Sequence, residues 1–168
     1  AKEAELLERL GADEVTLMDS AGTMRPDEVA AYIKAVKEST TIPIGFHGHN
    51  NLGMSAANAL AAMEAGADIL DCGLMGMARS AGNCPTELLL ALLKQKSEYQ
   101  NADLYTLLEY IDEELEPKMK QYGFTNPLHP VDMICGLSGC HSNLISKIKM
   151  KAQEYNVRLY PYIMAVST

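Results

Sequence analysis

The chain has 168 residues, 48% of them hydrophobic and 21% charged, a composition ordinary for a globular protein with a sizeable core or for part of a larger one. Its net charge of −8, from 22 acidic and 14 basic side chains, argues against a phosphate-backbone partner and hence against nucleic-acid binding. No apolar run approaches the roughly 20 residues of a bilayer span, and no basic stretch followed by an apolar one opens the chain, so a cytoplasmic location without membrane association is expected.

The chain starts at Ala1, without Met, inside a helical pattern in which Leu6, Leu7 and Leu10 share a face before Gly11 ends it. Val15 to Asp19 reads as a buried strand. Arg25-Pro26-Asp27-Glu28 then opens a helix, with Pro26 near its first position and acids in its first turn, running to about Glu38. A strand from Ile44 to His49, a helix from about Gly53 to Ala65, a strand from Ile69 to Gly73 and a helix from Pro85 to about Lys96 follow. The phrase Gly-Ala-Asp at 11–13 and at 66–68 each time ends a helix and launches a strand. Strand starts at 15, 44 and 69 are spaced like units of a (β/α)₈ barrel, in which roughly 250 residues carry eight units. An open doubly wound sheet has the same alternation. The polar residues favour the barrel, because Asp19-Ser20, His47/His49 and the segment from Gly73 to Asn83 all fall at strand C-terminal ends, where a barrel builds its active site.

Beyond about Tyr99 the pattern turns helical. Asp103 caps a helix carrying Leu104, Leu107, Leu108, Ile111 and Leu115, expected to stop around Glu116-Pro117. Helices over 131–137 and 142–155 follow a stretch punctuated by Gly123, Pro127 and Pro130, and 158–168 reads as an apolar, strand-like tail. The predicted fold is therefore α/β: the C-terminal three βα units of a (β/α)₈ TIM barrel over 1–98, followed by a small helical domain over 99–168 that is truncated at its end. Cys72, Cys84, Cys135 and Cys140 lack CxxC spacing and are expected to be free thiols.

The most informative segment is His47-Gly48-His49-Asn50-Asn51. Strand alternation points His47 and His49 the same way, and two neutral imidazoles at that spacing make half a metal site. Packing or hydrogen bonding is the competing explanation for two such histidines. A divalent ion would need at least one further oxygen ligand and open positions.

The run Phe46 to Gly53, with Ala57-Asn58 and Ala65-Gly66-Ala67, resembles the metal-binding strand of the DRE-TIM metallolyases, the superfamily that includes HMG-CoA lyase. Gly73 to Glu87 resembles its Gly-rich loop, which ends in Gly-Asn with an acid four residues beyond, and Met18-Asp19-Ser20-Ala21-Gly22 resembles its aspartate turn. Within the superfamily, His-Asn-Asn-Leu-Gly and Asp-Ser-Ala-Gly are most similar to the 4-hydroxy-2-oxovalerate aldolases. Ala78, where the aldolase loop usually has Gly, and His141, where those enzymes carry a substrate-facing Tyr, depart from that pattern.

The resemblance implies a metal-dependent aldolase or lyase that makes or breaks a carbon–carbon bond in a 4-hydroxy-2-oxo acid through a metal-stabilised pyruvate enolate. It implies His47 and His49 as metal ligands, Asn83 as a weaker ligand or a loop hydrogen-bonder, Asp19 orienting a ligand or water from behind, and Ser20 on the substrate carboxylate or in a plain turn. Mn²⁺ is the expected ion, with Mg²⁺, Co²⁺ or Zn²⁺ as alternatives. The catalytic residues and the Arg-Asp-Gly ligand motif are expected on strands outside these 168 residues, so this fragment alone should be inactive. A small 2-oxo acid is the expected substrate, and an acylating aldehyde dehydrogenase or a second copy of the chain the expected partner. The competing readings are an acyl-CoA-dependent synthase or lyase of the same superfamily and a degenerate, non-catalytic barrel. Arg79 is expected to be solvated, Glu87 to serve a helix start, Cys72 and Cys84 to be inert, and His129 and His141 to be structural or exposed.

Overall fold

A computed structural model describes residues 1–79, 81–96, 99–125, 130–138, 140 and 142–167. The chain divides into two compact units, residues 1–89 and 90–168.

The first unit is a three-stranded parallel sheet in the order β1-β2-β3, formed by β1 (Val15–Asp19), β2 (Ile44–Gly48) and β3 (Ile69–Asp71), with helices in each crossover. A short helix, α1 (Lys2–Arg9), precedes β1. Helix α2 (Pro26–Lys37) begins where Pro26, lacking an N–H, costs nothing. The Arg25 N–H donates to Glu28 Oε2 (2.9 Å), and acids at one end with lysines at the other complement the helix dipole. Val29 and Ile33, four apart, are fully buried. Helix α3 (Ser55–Glu64) buries Ala59 and Ala62, whose small side chains let it lie close to its neighbours. Asp68 ties the unit together, accepting from Lys37 Nζ (2.7 Å) and the Ile44 N–H (2.9 Å). Those hydrogen bonds hold its carboxyl below the ordinary aspartate range.

The register aligns Met18, His47 and Asp71 across the sheet, with Thr16, Gly45 and Ile69 one step earlier on the same face. The opposite face of β2 meets α3: a Cβ on Gly48 would lie between the Phe46 ring and the Ser55 backbone. His47 thus belongs to the face away from α3, where Met18 (57% exposed) and Asp71 are open. The fold class is that expected, α/β with parallel βα units.

The second unit is helical. Helix α4 (Thr86–Gln95) runs into it, followed by α5 (Leu104–Tyr110), whose N-cap Asp103 accepts from the Thr106 N–H (3.1 Å) and hydroxyl (2.7 Å). The expected stop at Pro117 does not occur. A π turn over Ile111–Leu115 widens the helix just where the proline ring would crowd the carbonyl four residues back, and α6 (Glu116–Lys120) continues beyond it.

Helices α7 (Pro130–Ser138), α8 (Ile145–Glu154) and α9 (Leu159–Ser167) complete the unit. The tail expected to be strand-like is α9 instead. Tyr160 and Ile163, three apart, are buried, and the Tyr160 hydroxyl donates to Asp112 Oδ2 (3.0 Å). Pro161 sits in its first turn, where a missing N–H goes unnoticed. Just before α9, Arg158 holds Glu109 with Nε and Nη2, both at 2.8 Å. Among the described residues no helix is long and apolar enough to cross a membrane.

Candidate active site

Three loops meet at the C-terminal end of the sheet, and main-chain groups provide most of the bonds between them. The loop after β1 turns at Asp19. Its carboxylate accepts from the N–H groups of Thr23 (3.1 Å) and Met24 (3.0 Å), and its carbonyl from those of Gly22 (3.1 Å) and His49 (3.3 Å). The loop after β2 is joined to it by Leu52 N–H to Gly22 O (3.1 Å) and by Asn51 Nδ2 to Ala21 O (2.9 Å). The loop after β3 is joined to the second through Asn50 N–H to Gly82 O (2.8 Å) and Ala81 N–H to Asn51 Oδ1 (3.3 Å). His49, one residue past the end of β2, makes an isolated antiparallel bridge with Asn83.

The His47 and His49 rings lie edge to face with centroids 5.2 Å apart, so both imidazoles sit together at one strand end. His47 Nδ1 donates to Asp71 Oδ2 (2.8 Å). A carboxylate that only accepts places a proton on Nδ1, and in the neutral imidazole Nε2 then carries the lone pair. That is the arrangement in which a carboxylate orients and strengthens a metal-ligating histidine. Asp71 escaped the sequence reading, although the signal that singled out Asp19, an acid at the C-terminal end of a strand, was present. In the full-length protein Asp71→Asn is expected to weaken divalent-metal binding by roughly 10–100-fold without unfolding the chain, as read by Mn²⁺ titration.

Asn83 Oδ1 is buried without a hydrogen-bond partner. A carbonyl oxygen in that state carries an unmet cost of about 1–3 kcal/mol that a cation would relieve. By donor type, two imidazoles and one amide oxygen suit a divalent ion of mixed N/O preference. Among the described residues no group of three or more His, Cys, Asp and Glu side chains is placed to hold one. Asp19 spends its carboxylate on backbone N–H groups and meets the histidine segment through its carbonyl instead. Ser20 is exposed in the following turn, as is Arg79 in the Gly-rich loop. Asn50 Oδ1 accepts from the Ser55 hydroxyl (2.8 Å) and N–H (3.2 Å), which serves the start of α3. His129 and His141 lie outside the described residues.

Residues 1–112 match the family described as HMGL-like. The chain belongs to the HMGL-like family. It is 39% identical over 158 residues to a 4-hydroxy-2-oxovalerate aldolase of Chloroflexus aurantiacus, covering 94% of this chain and 45% of that protein. It is 36% identical over 156 residues to the 4-hydroxy-2-oxovalerate aldolase of Moorella thermoacetica, covering 93% and 45%. The chain thus spans less than half the length of these curated relatives. Among solved structures, the Bacillus subtilis HMG-CoA lyase superposes with a TM-score of 0.65 at 27% identity, over 76% of this chain and 44% of that one.

The HMGL-like Gly-rich loop has an unusual backbone here. Leu74 to Met77 form a tight turn with Met77 N–H donating to Leu74 O (3.1 Å), and both central residues are left-handed, Met75 at φ 54° and Gly76 at φ 61°. Glycine adopts this freely, whereas methionine does so at a cost of about 1–2 kcal/mol. A Cβ on Gly76 would come within 2.8 Å of the Asn83 carbonyl, so the turn and Asn83 are pressed together. Cys84 is buried beside them. Burial, with Cys72 and Glu87 nearby, pushes its thiol up to about 12, so it is no nucleophile.

Proposed function

We propose that the intact protein is a divalent-metal-dependent carbon–carbon lyase of the aldolase type, acting on a 4-hydroxy-2-oxo acid with pyruvate as one product or substrate. The observation that carries this reading is the His47/His49 pair with Asp71 behind it, at the strand ends of a chain related to 4-hydroxy-2-oxovalerate aldolases. His47, His49 and the Asn83 amide oxygen would hold the ion, with a carboxylate from outside these 168 residues completing the set. When bound, the ion supplies a Lewis acid where negative charge develops on the 2-oxo oxygen during carbon–carbon cleavage. Nitrogen ligation favours Mn²⁺, Co²⁺ or Zn²⁺ over Mg²⁺, and Mn²⁺ is the ion we propose.

The chain's own residues supply position. Asp71 keeps the His47 proton on Nδ1, and Asp19 shapes the turn that exposes Ser20 at the mouth, where its hydroxyl can donate to a substrate carboxylate. The test is pyruvate release from 4-hydroxy-2-oxovalerate by the chelator-treated full-length protein, before and after Mn²⁺ is restored. Metal-restored activity is expected. Inertness toward 4-hydroxy-2-oxo acids together with turnover of an acyl-CoA substrate would replace this reading with the acyl-CoA lyase one.

A further inference from the structure

Glu87 is almost wholly buried (1% exposed) at the second position of α4, and its Oε2 accepts from the Met75 N–H at 3.0 Å. A first-turn acid serves a helix dipole equally well from the surface, so the dipole does not explain this burial. Burial pushes the carboxyl above its ordinary value, against the opposing pull of backbone hydrogen bonds from Met75 and Glu87 itself. Its partner is Met75, the left-handed methionine of the 74–77 turn.

From that turn a chain of short main-chain bonds leads to the site. Gly76 N–H donates to Gly73 O (2.9 Å), Gly73 N–H to Cys84 O (3.0 Å), Thr86 N–H to Gly73 O (2.9 Å), and Asn83 N–H to Gly76 O (3.0 Å). Asn83 in turn bridges His49. We infer that Glu87 is a positioning residue: its buried carboxylate clamps the unfavourable left-handed turn at Met75, and that turn sets the place of Asn83 beside the two histidines. The inference rests on the proposed metal-binding role of His47, His49 and Asn83. It adds a residue that touches neither metal nor substrate.

The experiment uses the full-length protein and two readouts, hydrogen exchange of the 73–83 segment and Mn²⁺ affinity by titration. Glu87→Ala is expected to speed exchange in that segment by about tenfold or more and to weaken Mn²⁺ binding by about tenfold or more, as loss of a buried acceptor and of an orienting contact predicts. Glu87→Gln keeps an acceptor and should hold both near the parent values. Adding Met75→Gly to Glu87→Ala should recover the affinity, because glycine needs no clamp to stay left-handed.

Faster exchange in Glu87→Ala with unchanged Mn²⁺ affinity would overturn the inference, since Glu87 would then be merely structural. Unchanged exchange would overturn it as well. His47→Ala, run alongside, separates the two ideas: parent-like Mn²⁺ affinity there would remove the metal reading and the inference with it, a signature distinct from failure at Glu87 alone. Where Glu87→Ala does not fold, the double variant decides. Recovered folding with parent-like affinity supports the clamp, and failure to recover overturns it.

Discussion

Full-length protein carrying His47→Ala or His49→Ala is expected to lose tight divalent-metal binding and, with it, proton exchange into pyruvate and aldol turnover. Each ring would supply one nitrogen in the proposed site, and the two share a strand end with a centroid separation of 5.2 Å. A pair acting as one unit does not degrade in halves, so the double variant should be hardly worse than either single one. The fold should survive: His47 lies on the face of β2 away from α3, and His49 follows the strand in a loop fastened through main-chain bonds. Calorimetric Mn²⁺ titration and deuterium incorporation into pyruvate measure the two losses. Parent-like metal affinity with full exchange in either single variant would end the assignment of these histidines as ligands.

A large effect on stability is expected at Gly22. Its φ of 64° is left-handed, and a Cβ there would come within 2.7 Å of the Asn51 nitrogen and 2.9 Å of the His49 carbonyl oxygen. Both obstacles are main chain, so neither can rotate away. Gly22→Ala should therefore cost about 3 kcal/mol or more, combining left-handed strain with overpacking. Gly11 provides the control: its φ of 91° is also left-handed, but nothing lies within 4 Å of its would-be Cβ. Gly11→Ala should cost only about 1 kcal/mol. Urea denaturation of the two variants reads the difference. Equal losses would mean that the His49–Asn51 segment yields, and that the loops are softer than their bonding suggests.

The barrel units were legible because each strand and helix carries its own local punctuation. Pro26 with Asp27 and Glu28, and the Gly-Ala-Asp phrases, mark ends that no tertiary contact needs to supply. The shared strand end of His47 and His49, with the Asn83 segment bridged to it, was legible through alternation and motif order. Asp71 was not, because its meaning lies in the register that sets it beside His47, and pairing between strands 25 residues apart leaves no trace in either strand alone. The tail misled for a different reason. Leu159 to Val166 mixes aromatic and β-branched residues in a short apolar run, for which period alone does not separate strand from helix. Burial of Tyr160 and Ile163 on one face, with a hydroxyl partner in Asp112, decided for helix. Pro117 misled because the π turn that absorbs it has no sequence signature of its own.

The bonds that fasten the three loops together run mostly between amide and carbonyl groups, which nearly every residue type carries. Ser20, Ala21, Ala78 and Arg79 are exposed, and their side chains contribute none of those main-chain fastenings. Evolution can therefore exchange the residues at the mouth one at a time while the histidines keep their places. On the proposed reading, what the mouth accepts can diverge separately from how His47 and His49 are held, so new substrates can be explored without first losing the place of the metal.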